Sequence, residues 1–388
     1  MNGPAPDLVA SAPARHYDAL DLLRGCAAMV VVLYHVAFLF VDDRVMFESG
    51  FLCVDMFFML SGFVIAANYD RKIAAGQTLK QFSIDRLARL YPLFVLTTLI
   101  GFLAVNAQQY SKIGLVDVDT VVATLLVNLA MIPSFFAPWN VHSVFPFNGA
   151  TWSIFFEMWV NILFFLVWRR LDWTSLKVLI AVSGLALIGS TLAFGTLDLG
   201  WGRANFGHGF IRVTFSFFLG VAIYRSGIAE RLKIRGIFAL LALLPLGVIL
   251  HARTILPADL GAFSDLVIVF VVFPATLILF AAADLSPVAK RVAFALGGAS
   301  YAIYLLQTPM MILYSGLPIV LFGRKVAEFA PLAGFIFIPL LLVASYVTWR
   351  AFELPAKNWI RRISRPAAGV APARLQRQPV RTTRHVGS

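Results

Sequence analysis

Eleven stretches of about 20 mostly apolar residues follow one another along the chain, at roughly 22–41, 50–68, 90–108, 119–135, 150–168, 177–196, 208–225, 235–251, 264–283, 292–320 and 331–350. A run of that length crosses the hydrocarbon core of a bilayer as an α-helix. In lipid only helices and closed barrels satisfy every backbone hydrogen bond. The alternating pattern of an outer-membrane barrel is absent from this sequence. The expectation is therefore an all-α, polytopic membrane protein whose first partner is the bilayer. Composition agrees: 60% of the residues are hydrophobic and 13% are charged, where a soluble domain carries about 25% charged residues.

The net charge of +12 would suggest nucleic acid in a soluble protein. Here the basic residues sit mainly in short loops and at the C-terminus, so the sequence reads them as topology signals and gives no nucleic-acid partner. Arg71, Lys72, Lys80, Arg86 and Arg89 mark the stretch 69–90 as cytoplasmic. Arg169, Arg170 and Lys177, then Arg225, Arg231, Lys233 and Arg235, then Lys290 and Arg291 mark further cytoplasmic loops. Both termini fall on that side. Three apolar segments lie between the loops at 69–90 and 169–177, and three crossings cannot join two loops on one side. Segment 119–135, short and flanked by Asp117 and Asp119, is the weakest candidate. If it lies along the outer face, the chain crosses about ten times and 134–149 becomes an outer loop.

The chain divides into a cytoplasmic segment 1–15, a membrane domain 16–360 and a basic tail 361–388. The first 21 residues lack the pattern of a cleaved signal peptide. The tail has seven arginines and no acid, which predicts disorder against an anionic inner leaflet. Cys26 and Cys53 both lie in apolar runs and form neither a disulfide framework nor a metal-ligand spacing, so no metal is expected. No solenoid repeat and no matched pair of broken helices is present.

Ionisable residues inside membrane helices are costly, and each is a functional candidate. Arg24 and His35 share the first segment. Their separation of eleven residues returns nearly to the same face at about 100° per residue and spans roughly 16 Å. Arg24 sits near the cytoplasmic end, where a snorkelling anchor paired with Asp21 fits it equally well. His35 lies beyond the midpoint, where a packing hydrogen bond is the plain alternative. Asp55, in the second segment, is expected at the depth of His35, where a carboxylate would orient an imidazole. Glu157, about seven residues into the fifth segment, is expected in the same layer. Arg86 and Arg89 share a helical face at the membrane surface, which suits either phosphate recognition or a positive-inside anchor.

The segments DALDLLRGCAAMVVVLYHV (18–36), VDMFFMLSGF (54–63), DRLARLYP (85–92), TWSIFFE (151–157), ASYAIYLLQTP (299–309) and FELP (352–355) occur in this order. Together they resemble the bacterial membrane acyltransferase family 3, which includes O-acetyltransferases of O-antigen, exopolysaccharide and nodulation factors. The likeness covers roughly residues 16–360. It implies ten membrane helices in the inner membrane. It also implies transfer of an acyl group, usually acetyl, from cytoplasmic acyl-CoA to a hydroxyl of a cell-surface or exported glycan. By the same resemblance, Arg24, Arg86 and Arg89 bind acyl-CoA, while His35, Asp55 and Glu157 do the chemistry, with acyl-CoA as co-substrate and no further cofactor. Gln307 stands where many relatives have His. A reading from another class is a transporter of a lipid-linked sugar or anion, using the same buried charges without acyl chemistry.

Overall fold

The computed structural model describes residues 16–40, 46–113, 117–140 and 142–364. The segment 1–15 and most of the basic tail lie outside the described residues. Every apolar run becomes a helix. We number them α1 (Asp18–His35), α2 (Cys53–Ala74), α3 (Leu79–Ile113), α4 (Val118–Leu129), α5 (Thr151–Val167), α6 (Trp173–Phe194), α7 (His208–Ser226) and α8 (Gly236–Ile249). The next, α9, runs from Gly261–Val267 through a wider turn into Phe273–Ala282. Then come α10 (Pro287–Phe322), α11 (Leu332–Thr348) and α12 (Leu354–Ser364). Seven of the helical stretches are long and apolar enough to cross a membrane, and shorter apolar helices accompany them. The protein is an all-α, multi-pass membrane protein.

Local chemistry sets the helix ends. Asp117 caps α4 by accepting the Thr120 N–H at 3.3 Å. Asp172 caps α6 by accepting the Ser175 N–H at 2.7 Å, which holds its carboxyl below the usual range. The left-handed Gly195 and Gly227 end α6 and α7, a conformation that glycine adopts without a Cβ penalty. The final helix, α12, is amphipathic, with the apolar Trp359 and Ile363 exposed on one side and Arg361 paired with Asp85 at 3.2 Å on the other. Residues 361–364 were expected in the disordered tail; they form the last turn of this helix, because alternating apolar and basic residues suit an interfacial helix.

The odd number of apolar segments between two like-sided loops finds its explanation here. Arg225 donates to Asp70 at 2.9 Å and to the Leu171 carbonyl at 2.7 Å, and the Trp168 indole donates to Asp70 at 2.7 Å. The ends of α2, α5 and α7 therefore meet at one end of the bundle. α3 leaves that end and α5 returns to it. α4 has 12 residues, about 18 Å of helix and too short to cross. It does not lie along the outer face as expected. The Tyr91 hydroxyl donates to the Leu129 carbonyl at 2.9 Å, so α4 turns back beside α3. Nor is 134–149 simply an outer loop. Val144, Phe145, Phe147 and Asn148 are buried, and the Asn148 amide donates to the Leu305 carbonyl of α10 at 3.0 Å. The part from Val144 to Asn148 fills the bundle, while Phe135, Phe136 and His142 are exposed.

Close helix contacts rest on small residues. A Cβ added at Gly62 of α2 would strike the Phe217 carbonyl of α7, and one at Gly220 would strike the Met59 carbonyl. Backbones can approach in this way only where both sides lack bulk. We expect Gly62→Leu and Gly220→Leu each to destabilise the protein by about 1–3 kcal/mol through overpacking. Gly189→Leu, on an open face of α6 with nothing within 4 Å, should leave the thermal midpoint of detergent-purified protein unchanged.

Candidate active site

A cavity of about 350 Å³ opens among α1, α2, α3, α5 and α10. Its lining on α2 runs from Asn68 to Val54, fourteen residues or about 21 Å of helix. Arg24, Arg86 and Arg89 all contribute to its wall. Each is held by fixed partners. The Arg24 guanidinium donates to Asp21 at 2.8 Å, to Ser300 at 2.9 Å and to the Gly297 carbonyl at 2.7 Å. Gly297 permits this contact because a Cβ there would lie 2.5 Å from the Asp21 carbonyl oxygen. Arg86 donates to Glu157 at 3.0 Å. Arg89 pairs with Glu353 and lies 5.3 Å from the centre of the Tyr301 ring. The three arginines expected to act together are thus brought together.

The expected catalytic layer is not. Glu157 belongs to the arginine cavity, accepting from Arg86 and, at 3.0 Å, from the Ser61 hydroxyl. Asp55 lies apart from His35, and the helix register explains why. The Tyr17 ring meets Phe63 at 5.1 Å, and Cys53 shares a small apolar cavity with Cys26 and Ala27. Residue numbers on facing turns of α1 and α2 therefore sum to about 80, which sets Asp55 opposite residue 25. That is about ten residues, or roughly 15 Å, inward of His35. The chain between the helices makes short turns at Ala37–Leu39 and Gly50–Leu52 before α2 begins, and these displace the antiparallel register.

Asp55 instead meets Arg212 of α7, at 2.5 and 3.3 Å, with the Ser216 hydroxyl at 3.4 Å. Both members of the pair are fully buried: Asp55 is 0% and Arg212 1% exposed. The remaining Arg212 amine donates to the Leu199 carbonyl at 2.6 Å. Arg212 was missed in the sequence, although an arginine inside the apolar run 208–225 is as strong a signal as Arg24. Glu353, in the FELP segment, is a second charge beyond those expected, and only its pairing with Arg89 reveals it.

His35 stands exposed at the C-terminal end of α1, beyond the deep end of the cavity. Its Nδ1 lies 2.8 Å from the Val31 carbonyl. A carbonyl only accepts, so Nδ1 carries the proton and Nε2 keeps its lone pair. The loop joining α6 to α7 carries Asp198, which sequence reasoning did not single out. Burial pushes the Asp198 carboxyl up from its ordinary value, while Arg212, His35 and the Trp201 indole N–H draw it down. At the deep end of the cavity the Ser153 and Tyr304 hydroxyls lie 2.9 Å apart. Gln307 is buried one turn further along α10, its amide donating to the Tyr304 carbonyl at 3.1 Å. Among the described residues no cluster of side chains is arranged to hold a metal ion.

The chain is thus a helical membrane bundle with an arginine-lined cavity and, beyond it, a histidine. The comparisons give the class: a family model described as an acyltransferase domain matches residues 17–350, so the chain belongs to that acyltransferase family. The chain is 29% identical over 197 residues to "Protein 2 in picA locus" of Rhizobium radiobacter, covering 48% of this chain and 100% of that one. It is 27% identical over 183 residues to "Putative acetyltransferase ORF330" of Acidianus two-tailed virus, covering 47% of this chain and 49% of that one. It thus spans about half the length of the viral relative. No solved structure matches.

The buried pair yields a stability test. Removing one partner leaves an uncompensated charge, at about 3–5 kcal/mol, whereas replacing both by apolar residues of similar volume is near neutral. Arg212→Met alone should strongly lower the thermal midpoint, and Asp55→Leu combined with Arg212→Met should recover most of the loss.

Proposed function

We propose that this protein is a membrane O-acyltransferase that takes an acyl group, acetyl by family likeness, from acyl-CoA on the cytoplasmic side and passes it to a hydroxyl of a cell-surface or exported glycan. The observation that carries this reading is the cavity: three arginines line one 350 Å³ space, and guanidinium forks match phosphate geometry. The positive loops around α2–α3, α5–α6 and α7–α8 favour the inner membrane with this end in the cytoplasm.

The donor's phosphates bind at Arg24, Arg86 and Arg89, and its pantetheine arm extends toward Val54, Ser153 and Tyr304. Glu157 fixes Arg86 and Glu353 fixes Arg89, so the forks are set before the donor arrives. His35 Nε2, free of its proton, is the general base toward the acceptor hydroxyl at the outer end. By register, Val54 faces about residue 26 of α1, roughly 13 Å short of His35. Phe57, whose ring meets Tyr304 at 5.6 Å, lines the cavity a turn nearer its arginine end.

Membranes containing the protein should transfer radiolabel from acetyl-CoA to glycan, and membranes without it should not. His35→Ala should abolish transfer at normal expression. Arg86→Lys keeps the charge but loses the fork, and should raise the acyl-CoA KM about tenfold with a smaller change in kcat, as loss of one charged hydrogen bond implies. Full activity of His35→Ala would remove the general-base assignment. Labelling that does not depend on the protein would remove the acyltransferase reading of the cavity.

A further inference from the structure

Four arginines gather at or beside the arginine-lined end of the cavity, and each is already matched by an acid. Arg24 faces Asp21 at 2.8 Å, Arg86 faces Glu157 at 3.0 Å, Arg89 faces Glu353, and Arg361 of α12 faces Asp85 at 3.2 Å. Guanidiniums paired in this way offer donors and a fixed shape, but little net positive charge. The donor proposed above is strongly anionic. It carries a nucleotide pyrophosphate and, on the ribose, a phosphate monoester of about −1.5 to −2 charges. Such a donor calls for a cation that has no acid of its own, and α12 carries one.

Lys357 is half-buried and, among the described residues, makes no ion pair and no hydrogen bond. Its place follows from its neighbours on the same helical stretch. Glu353, four residues before it, pairs with Arg89, and Arg361, four residues after it, pairs with Asp85. Residues four apart share one face of a helix. Lys357 therefore faces the turn of α3 from Asp85 to Arg89, the turn that carries Arg86. Four cations, Arg89, Arg361, Arg86 and Arg24, bear on it electrostatically. Trp359, two residues on and about 200° around the helix, is exposed on the opposite side. Lys357 is thus turned toward the arginine cluster and away from the apolar face of α12. An ammonium held against like charges is unfavourable until an anion joins it. Arg86 keeps a second donor spare nearby, its buried Nε–H having no acceptor among the described residues.

We propose that Lys357 binds the ribose 3′-phosphate of the acyl-CoA donor, and so distinguishes coenzyme A from phosphopantetheine carriers that lack this group. The proposal rests on the acyl-CoA reading of the cavity. The order of groups along the donor supports the match. With the pantetheine arm between the helices, the pyrophosphate it hangs from comes to Arg24, Arg86 and Arg89 in the wall. The 3′-phosphate sits on the ribose, beyond the pyrophosphate, and falls outside that wall. Lys357 is not part of the wall, yet it stands beside Arg89, which is. A compact ammonium with three rotatable donors suits a monoester whose orientation the planar forks do not fix. An anionic lipid headgroup offers similar phosphate chemistry, and the experiment separates the two sources.

The test is equilibrium binding of coenzyme A and of 3′-dephospho-coenzyme A to the detergent-purified full chain, repeated in phosphatidylcholine vesicles with and without phosphatidylglycerol. The parent should bind coenzyme A about tenfold more tightly than the dephospho form, as one charge-assisted hydrogen bond implies. Lys357→Gln should lose that preference, weakening coenzyme A about tenfold and leaving the dephospho form unchanged. Lys357→Arg should keep most of it. A parent that binds both forms equally overturns the proposal without any variant. So does a Lys357→Gln protein that keeps the preference, or one that weakens both forms alike, the mark of a general electrostatic or structural role. If Lys357→Gln alters binding only in vesicles with phosphatidylglycerol, the ammonium serves a lipid headgroup and the proposal falls. Failure of the parent to bind either form is a separate result: it removes the donor assignment of the whole cavity, and this proposal with it.

Discussion

An ionised side chain in a bilayer needs a partner, and in this protein the partners lie on other helices. Asp55 reaches Arg212, Arg86 reaches Glu157, Arg89 reaches Glu353 and Asp70 reaches Arg225. Each pair joins segments far apart in sequence. Because a buried charge without its counter-charge is so unfavourable, each pair admits few alternative arrangements of the helices that carry it. Apolar packing alone is less selective, since lipid tails are as apolar as leucine. The close glycine contacts between α2 and α7 complete what the charges begin.

The same pairs divide the bundle by function. At the end lined by Arg24, Arg86 and Arg89, acids hold arginines in place around a cavity without filling it. Elsewhere Asp55 and Arg212 are fully buried against each other. Arg212 and Asp265 also grip the backbone of the α6–α7 loop, at the Leu199 carbonyl and the Leu197 N–H. One buried arginine thus links α2 and α7 to that loop. Asp55, expected beside His35 from its motif, pairs with Arg212 instead.

Several features were legible in the residues themselves. The order and approximate extent of the apolar segments followed from hydropathy, and the shortness of 119–135 showed through its flanking acids. The Arg24–Asp21 contact and the shared face of Arg86 and Arg89 followed from helical periodicity, which is local. The depth of Asp55 relative to His35 was not legible. It depends on how the chain turns between α1 and α2, and two short helical turns there shift the register by about ten residues. Glu157 was misplaced for a related reason: α4 turns back and 144–148 fills the bundle, so counting residues from an assumed outer surface overstated how far out α5 begins. Arg212, an arginine inside an apolar run, was legible as a costly buried charge.

By itself the sequence determined that this chain is an all-helical membrane protein, which end of the bundle is basic, and that it has the motifs of an acyltransferase. These are properties of periodicity, composition and residue order, all of which act within a single helix or loop. The tertiary structure alone decided which charges face one another: that Glu157 serves the arginine cavity, that Asp55 closes on Arg212, and that Glu353 holds Arg89. Counter-charges in a membrane are chosen across helices, by register and tilt, and neither quantity is written in the spacing along one helix.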